Sequence, residues 1–172
     1  MHRTVVSTPM AALALFFLVL PPTKGTGVDA REQVQDRELL MSGSWQGTWL
    51  SLFEESRGFE FSADLQLKVA ADNTVKGQIH WTLEKSPATS PLADFIGFTA
   101  IESVKGTYDS KSRTLSLDGY AKDDHAQIIA LDRYRLILAE NNQMIGGITQ
   151  GHGGWQGLIS LKLKKSKKSV VS

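Results

Sequence analysis

The chain of 172 residues is 41% apolar, 22% charged and 8% aromatic, with a formal net charge of +1. That is apolar material enough for one domain and too much for a disordered chain. It has no cysteine, which excludes a disulfide scaffold, a thiolate zinc site and a cysteine nucleophile, and it carries no P-loop, HExxH, GxSxG or EF-hand pattern.

Residues Met10–Leu20 (MAALALFFLVL) are uncharged, follow His2 and Arg3, and end at Pro21-Pro22. A spanning helix needs about 20 apolar residues, so this run is too short and has the proportions of a signal-peptide core. Residues 1–30 are therefore expected to be a signal peptide cleaved after Ala30 or Gly27, with an uncleaved anchor as the alternative. The expected location is secreted or periplasmic. A short helical lead-in is expected over 31–43, with Val34, Leu39 and Leu40 as its apolar positions.

From Arg31 onward there are 17 Lys+Arg against 17 Asp+Glu, but five of the lysines fall between Lys162 and Lys168. Residues 31–161 alone carry 12 against 17, a balance of −5. An acidic body with a basic end is not the footprint of a nucleic-acid binder, which spreads basic residues over a face. The tail 165–172 is expected to be a frayed, solvated end, with contact to an anionic surface as the alternative.

Between these ends the chain alternates. Phe59, Phe61, Ala63, Leu65, Leu67 and Val69 interleave with Glu60, Ser62, Asp64, Gln66 and Lys68. A period of two over this length has no helical explanation. Ala71–Thr74 is a turn, and Val75, Gly77, Ile79, Trp81 and Leu83 resume the alternation. The same reading gives strands at 44–53, 59–70, 75–84, 99–109, 114–122, 127–139, 143–149 and 155–164. Short connections pair each strand antiparallel with the next. The predicted fold is all-β: an eight-stranded antiparallel up-and-down barrel over 44–164, with a two-sheet sandwich as the alternative. Glycines inside most strands (Gly47, Gly77, Gly106, Gly119, Gly146, Gly147, Gly157) favour the barrel, whose sheet must coil sharply. Glu60, Asp64, Lys68, Lys76 and Glu84 on the outward face argue against a membrane barrel.

Gly43-Ser44-Trp45 at the opening of the first strand resembles the G-x-W signature of lipocalins. Gly47-Thr48-Trp49 resembles the first strand of avidin-like barrels. Both belong to the calycin-type small barrels, and the likeness implies a closed barrel with a ligand cup. It is carried by a handful of identities, together with a faint lipocalin-like segment at Leu131–Tyr134, and the avidin ligand residues have no counterparts here. The nitrobindin-like haem barrels share G-x-W-x-G-x-G, but Trp49 stands where their last glycine does. Trp45-Gln46-Gly47 recurs as Trp155-Gln156-Gly157, which predicts two tryptophans packed side by side where the first and last strands meet.

In an up-and-down barrel the connections alternate between ends. One end, the floor, receives the tight turns 71–74, 109–113 and 140–143 and the lead-in. The other, the mouth, receives 54–58, 85–98, 122–126 and 150–154. The only long connection is 85–98, whose Leu92, Phe95 and Ile96 are expected either to plug the barrel or to form a lid. His125 and His152 also fall at the mouth, with Glu54, Glu55, Asp123 and Asp124. They could hold a metal or haem, but their spacing fixes no geometry, and solvated turn residues are the expected reading. No cofactor or metal is predicted.

Parity from Trp45 and Trp49 places Glu102, Val104 and Tyr108 inside, with Asp132, Tyr134 and Leu136. Two carboxylates then enter an apolar lumen near the mouth. Such groups need hydrogen-bond donors or a ligand, and burial pushes them towards the neutral form. The candidate ligand-binding residues are Trp49, Trp81, Phe95, Glu102, Tyr108, Asp132, Tyr134 and His152. The expected function is a non-enzymatic exported barrel binding a small apolar ligand or a protein partner. The alternative is a barrel-lined enzyme with Glu102 and Asp132 as an acid–base pair. Charged outer faces favour a monomer.

Overall fold

A computed structural model of the chain describes residues 43–52 and 57–164, together with Arg31 and Val34, both in helical conformation. The expected signal peptide 1–30, the rest of the expected lead-in, Glu54, Glu55 and the tail 165–172 lie outside the described residues.

Eight strands follow in order: β1 Ser44–Ser51, β2 Glu60–Val69, β3 Thr74–Lys85, β4 Thr99–Asp109, β5 Thr114–Asp123, β6 Asp132–Leu138, β7 Met144–Gly151 and β8 Gln156–Lys164. Each pairs antiparallel with the next, and β8 pairs back onto β1 from Ser44↔Lys164 to Ser51↔Gly157. The sheet therefore closes into one barrel and has no free edge, which excludes the sandwich. Alternation becomes burial: in β2 Phe61, Ala63, Leu65, Leu67 and Val69 are buried, while Gln66 and Lys68 are exposed. Coiling brings neighbouring backbones close. At Gly106 a Cβ would lie 1.9 Å from the Ser116 carbonyl oxygen, so no larger residue fits.

The floor is a packed core. Trp45, Leu115, Leu136, Ile145 and Leu161 are all fully buried there. Its turns are tight. Asp72 accepts hydrogen bonds from the Thr74 amide at 3.0 Å and hydroxyl at 2.7 Å, and Asn73 adopts φ 65.

Three expectations need correction. β6 begins at Asp132 rather than 127. The buried Asp124 carboxylate accepts the amides of Ile128 at 2.9 Å and Ile129 at 3.0 Å, and those amides are then lost to a ladder. Lys122 braces the same carboxylate at 3.0 Å. The result is an ordered loop over 124–131 that drops Ile128 into the mouth. Secondly, the repeated Trp-Gln-Gly tripeptides do not bring tryptophans together. β1 and β8 run antiparallel, so Trp45 sits opposite Leu163 at the floor while Trp155 packs on Phe59 at the mouth, 5.1 Å between ring centroids. Thirdly, 85–98 is neither a plain plug nor a plain lid. It holds a short 3-10 helix, Pro91–Phe95, capped by the Ser90 hydroxyl, which accepts the Leu92 amide at 3.1 Å. Leu92 and Phe95 pack on the core, whereas Ile96 and Phe98 are exposed.

The outer face carries charge at Lys68, Lys76 and Glu84. It also carries an apolar row across three strands, Leu50 beside Leu158 beside Ile148, all exposed. No helix among the described residues is long and apolar enough to cross a membrane.

Candidate functional site

The mouth encloses a cavity of about 280 Å³. Its wall comes from β1–β4 and β6: Trp49, Phe61, Trp81, Glu102, Asp132 and Tyr134. Leu92, the loop residues 127–130, Gly153 and Trp155 form the rim. The aromatic wall is continuous. Trp49 meets Phe61 edge to face at 5.6 Å, and Phe61 meets Trp81 in the same way at 6.1 Å. Cross-strand register sets this up, since Trp49 pairs with Phe61 and Trp81 with Ala63.

Two cross-strand gaps make room for the largest polar and aromatic side chains. At Gly157 a Cβ would lie 2.0 Å from the Trp49 indole, so β8 must offer glycine there. At Gly119 a Cβ would lie 1.9 Å from Glu102 Oε1. Next to Gly119 the β4–β5 register slips by one residue, turning Tyr120 outward under the Lys105 ammonium, 5.2 Å from its ring centroid. The extra residue falls on β5, so the parity of Glu102 on β4 is kept.

Glu102 is wholly buried and fully partnered. Oε1 accepts the Asp132 backbone N–H at 3.0 Å. Oε2 accepts the Trp81 indole N–H at 3.1 Å and the Tyr134 hydroxyl. Burial pushes the carboxyl from its ordinary 4.5 up to about 7, against the lowering pull of these donors, and the nearby Asp132 charge adds to the rise. Burial also pushes Asp132 up from 3.8 to about 6, opposed by the Thr149 hydroxyl bond and by His152. Thr149 joins the two sides of the cup. Its hydroxyl accepts the Trp49 indole N–H at 2.8 Å and donates to Asp132. The Tyr134 hydroxyl, held among these groups, is raised well above its ordinary 10.0 by burial and by the charges of Glu102 and Asp132. It stays a donor at every ordinary pH.

Of the eight residues singled out from sequence, Trp49, Trp81, Glu102, Asp132 and Tyr134 converge on this cavity. Tyr108 does not. It is buried at the floor, its amide bonded to the Asn73 carbonyl of the tight turn. Phe95 stacks edge to face on Phe98 at 5.3 Å and leaves the rim position to Leu92. His152 is exposed on the β7–β8 turn and reaches the site only through its charge on Asp132. His125 is fully exposed, 3.7 Å from Asp123. Among the described residues no three His, Asp or Glu side chains gather as metal ligands. Sequence reasoning missed Thr149, Ile128 and the two glycine gaps. Thr149 had a signal: it is a polar residue at an inward position of β7.

Fold and site together define a class: a closed eight-stranded antiparallel barrel, filled at one end and hollow at the other. No family of proteins matches the chain, and neither curated proteins nor solved structures give a match.

Proposed function

We propose that this chain is an exported, non-enzymatic binding barrel that holds a small, mostly apolar ligand in its mouth. The cavity of about 280 Å³, walled by Trp49, Phe61 and Trp81, carries the reading. A small barrel either fills its lumen with side chains or keeps room for one small ligand, and here only the floor half is filled. The eight-stranded architecture is compatible with the calycin-type resemblance of Gly43–Trp49. Export rests on the run Met10–Leu20.

A second reading, catalysis by Glu102 and Asp132, draws on their sharing one cavity with raised proton affinities. It ranks below binding because both Glu102 oxygens are already taken by three protein donors.

The test is titration with the neutral fluorophore N-phenyl-1-naphthylamine. The expected result is saturable one-to-one binding that Gly153→Trp weakens by about tenfold or more. Gly153 lines the cavity with nothing within 4 Å of its Cβ position, so the bulkier side chain blocks the mouth without disturbing the fold. Absence of saturable binding, or binding untouched by that substitution, contradicts the reading.

A further inference from the structure

The chemistry of the cup narrows its ligand, on the reading that the cavity binds one. The decisive feature is the balance of donors and acceptors. Three buried side-chain donors stand on the cavity wall, and each is already spent; the other two side-chain donors of the lining, the Trp155 indole and the Gln127 amide, sit at the exposed rim. Trp49 donates to Thr149, and Trp81 and Tyr134 donate to Glu102. The amides of Ile128 and Ile129 in the rim loop are taken by Asp124. With their N–H groups engaged, the indoles of Trp49 and Trp81 offer the cavity carbon surface and π-electrons. Acceptor capacity remains at Asp132, which lines the cavity and is not fully buried, unlike Glu102. Among the described residues no Lys or Arg lines the cavity, so the charges on the described wall are both negative.

A ligand entering such a site must bring its own donors or positive charge. An anionic ligand would meet two carboxyl groups on the wall, with only the exposed Gln127 amide and Trp155 indole of the rim as side-chain donors. A neutral hydrocarbon would leave Asp132 desolvated without compensation. A cation on an apolar body satisfies both halves. Its charge pairs with Asp132, and its body lies against Trp49, Phe61 and Trp81, where the ring quadrupoles also attract positive charge.

We propose that the mouth takes an organic cation, an ammonium group carried on an apolar body about the size of one aromatic ring, with Asp132 as its counter-ion and Glu102 as the group that positions Asp132. Glu102 acts through the Asp132 backbone amide that it binds. The titratable groups facing Asp132 are Glu102 from β4, Tyr134 from β6 and His152 from the β7–β8 turn. A cation binds best when both carboxyls are ionised, so affinity rises with pH. Binding in the acid range must release protons.

The test compares three probes of matched body by calorimetry at pH 8 and pH 5: benzyltrimethylammonium, its neutral carbon isostere neopentylbenzene, and phenylacetate. Benzyltrimethylammonium and neopentylbenzene keep their charge between the two pH values, and phenylacetate is fully ionised at pH 8 and mostly so at pH 5. The expected result is benzyltrimethylammonium tightest by about tenfold or more at pH 8, its lead shrinking at pH 5, and phenylacetate not binding. Asp132→Asn should abolish the lead by weakening benzyltrimethylammonium, with neopentylbenzene bound no more weakly than before. Equal affinity for cation and isostere, or a preference for phenylacetate, overturns the cationic assignment and leaves the cup standing. Failure of all three probes, together with failure of N-phenyl-1-naphthylamine, overturns both.

Discussion

The two ends of this barrel are built from the same eight strands and behave as opposites. The floor closes with short polar turns over fully buried Trp45, Leu115, Leu136, Ile145 and Leu161. The mouth closes with the longer segments 85–98 and 124–131 over a cavity, two carboxyls and a relay of hydrogen bonds. Side chains that fill space stabilise the floor. At the mouth, much of the polar free energy goes into holding Glu102 and Asp132 out of water, an arrangement that costs stability unless each lone pair finds a donor. The difference teaches where function is placed in a small barrel: at the end whose burial is incomplete and whose polar groups are organised.

Truncation should separate the ends most sharply. Leu115→Ala at the floor should destabilise by about 2–5 kcal/mol in urea unfolding, since a fully buried side chain leaves a cavity. Trp155→Ala at the rim should cost below about 1 kcal/mol, because this indole is already 39% exposed, yet it should weaken binding of the fluorophore. Equal costs at the two sites would erase the distinction.

Next in size is the pH dependence. Glu102 holds its proton up to about 7 in the folded barrel and to 4.5 at its ordinary value. Between these values the folded state binds the extra proton, so stability is highest below about 4.5, falls as pH rises and levels off above about 7. The full loss is about 3 kcal/mol from that group. Asp132 adds the same sign between 3.8 and about 6. Glu102→Gln should flatten most of this slope in unfolding measured at pH 4.5, 6 and 8. A slope unchanged by the substitution would mean that Glu102 is not the buried acid.

A smaller effect, of opposite sign, belongs to Asp124. Burial pushes its carboxyl up, but the Ile129 amide, the Lys122 ammonium and the Ile128 amide outweigh that and hold it below its ordinary 3.8. Its contribution is present above 3.8 and is lost only as pH falls through the lowered folded value. Asp124→Ala should cost about 1–3 kcal/mol at neutral pH. It should also raise hydrogen exchange at Ile128 and Ile129 while leaving the floor amides protected. Uniform loss of protection would show that the loop and the floor are one cooperative unit.

Much of the architecture was legible because its cause is local. Alternation such as Phe59 to Val69 follows from the two-residue period of a strand, and one parity assignment from Trp45 and Trp49 carried Glu102, Asp132 and Tyr134 to the correct face. What stayed hidden depends on partners distant in sequence. The stretch Gln127–Ala130 reads as strand because it is apolar, and only the capture of its amides by Asp124 stops the ladder at Asp132. Tyr108 shares the inward parity of Glu102 but lies three periods of alternation nearer the floor, so face was right and depth was wrong. The room for Trp49 and Glu102 comes from Gly157 and Gly119 on adjacent strands, and that is fixed by register.

Four tryptophans allow the contrast between the ends to be read in one spectrum. With the indole nitrogens labelled, addition of benzyltrimethylammonium at pH 8 should shift the signals of Trp49, Trp81 and Trp155 and leave that of Trp45 in place. Four unmoved signals, or a Trp45 signal that moves with the others, would contradict a filled floor beneath a hollow, cation-receiving mouth.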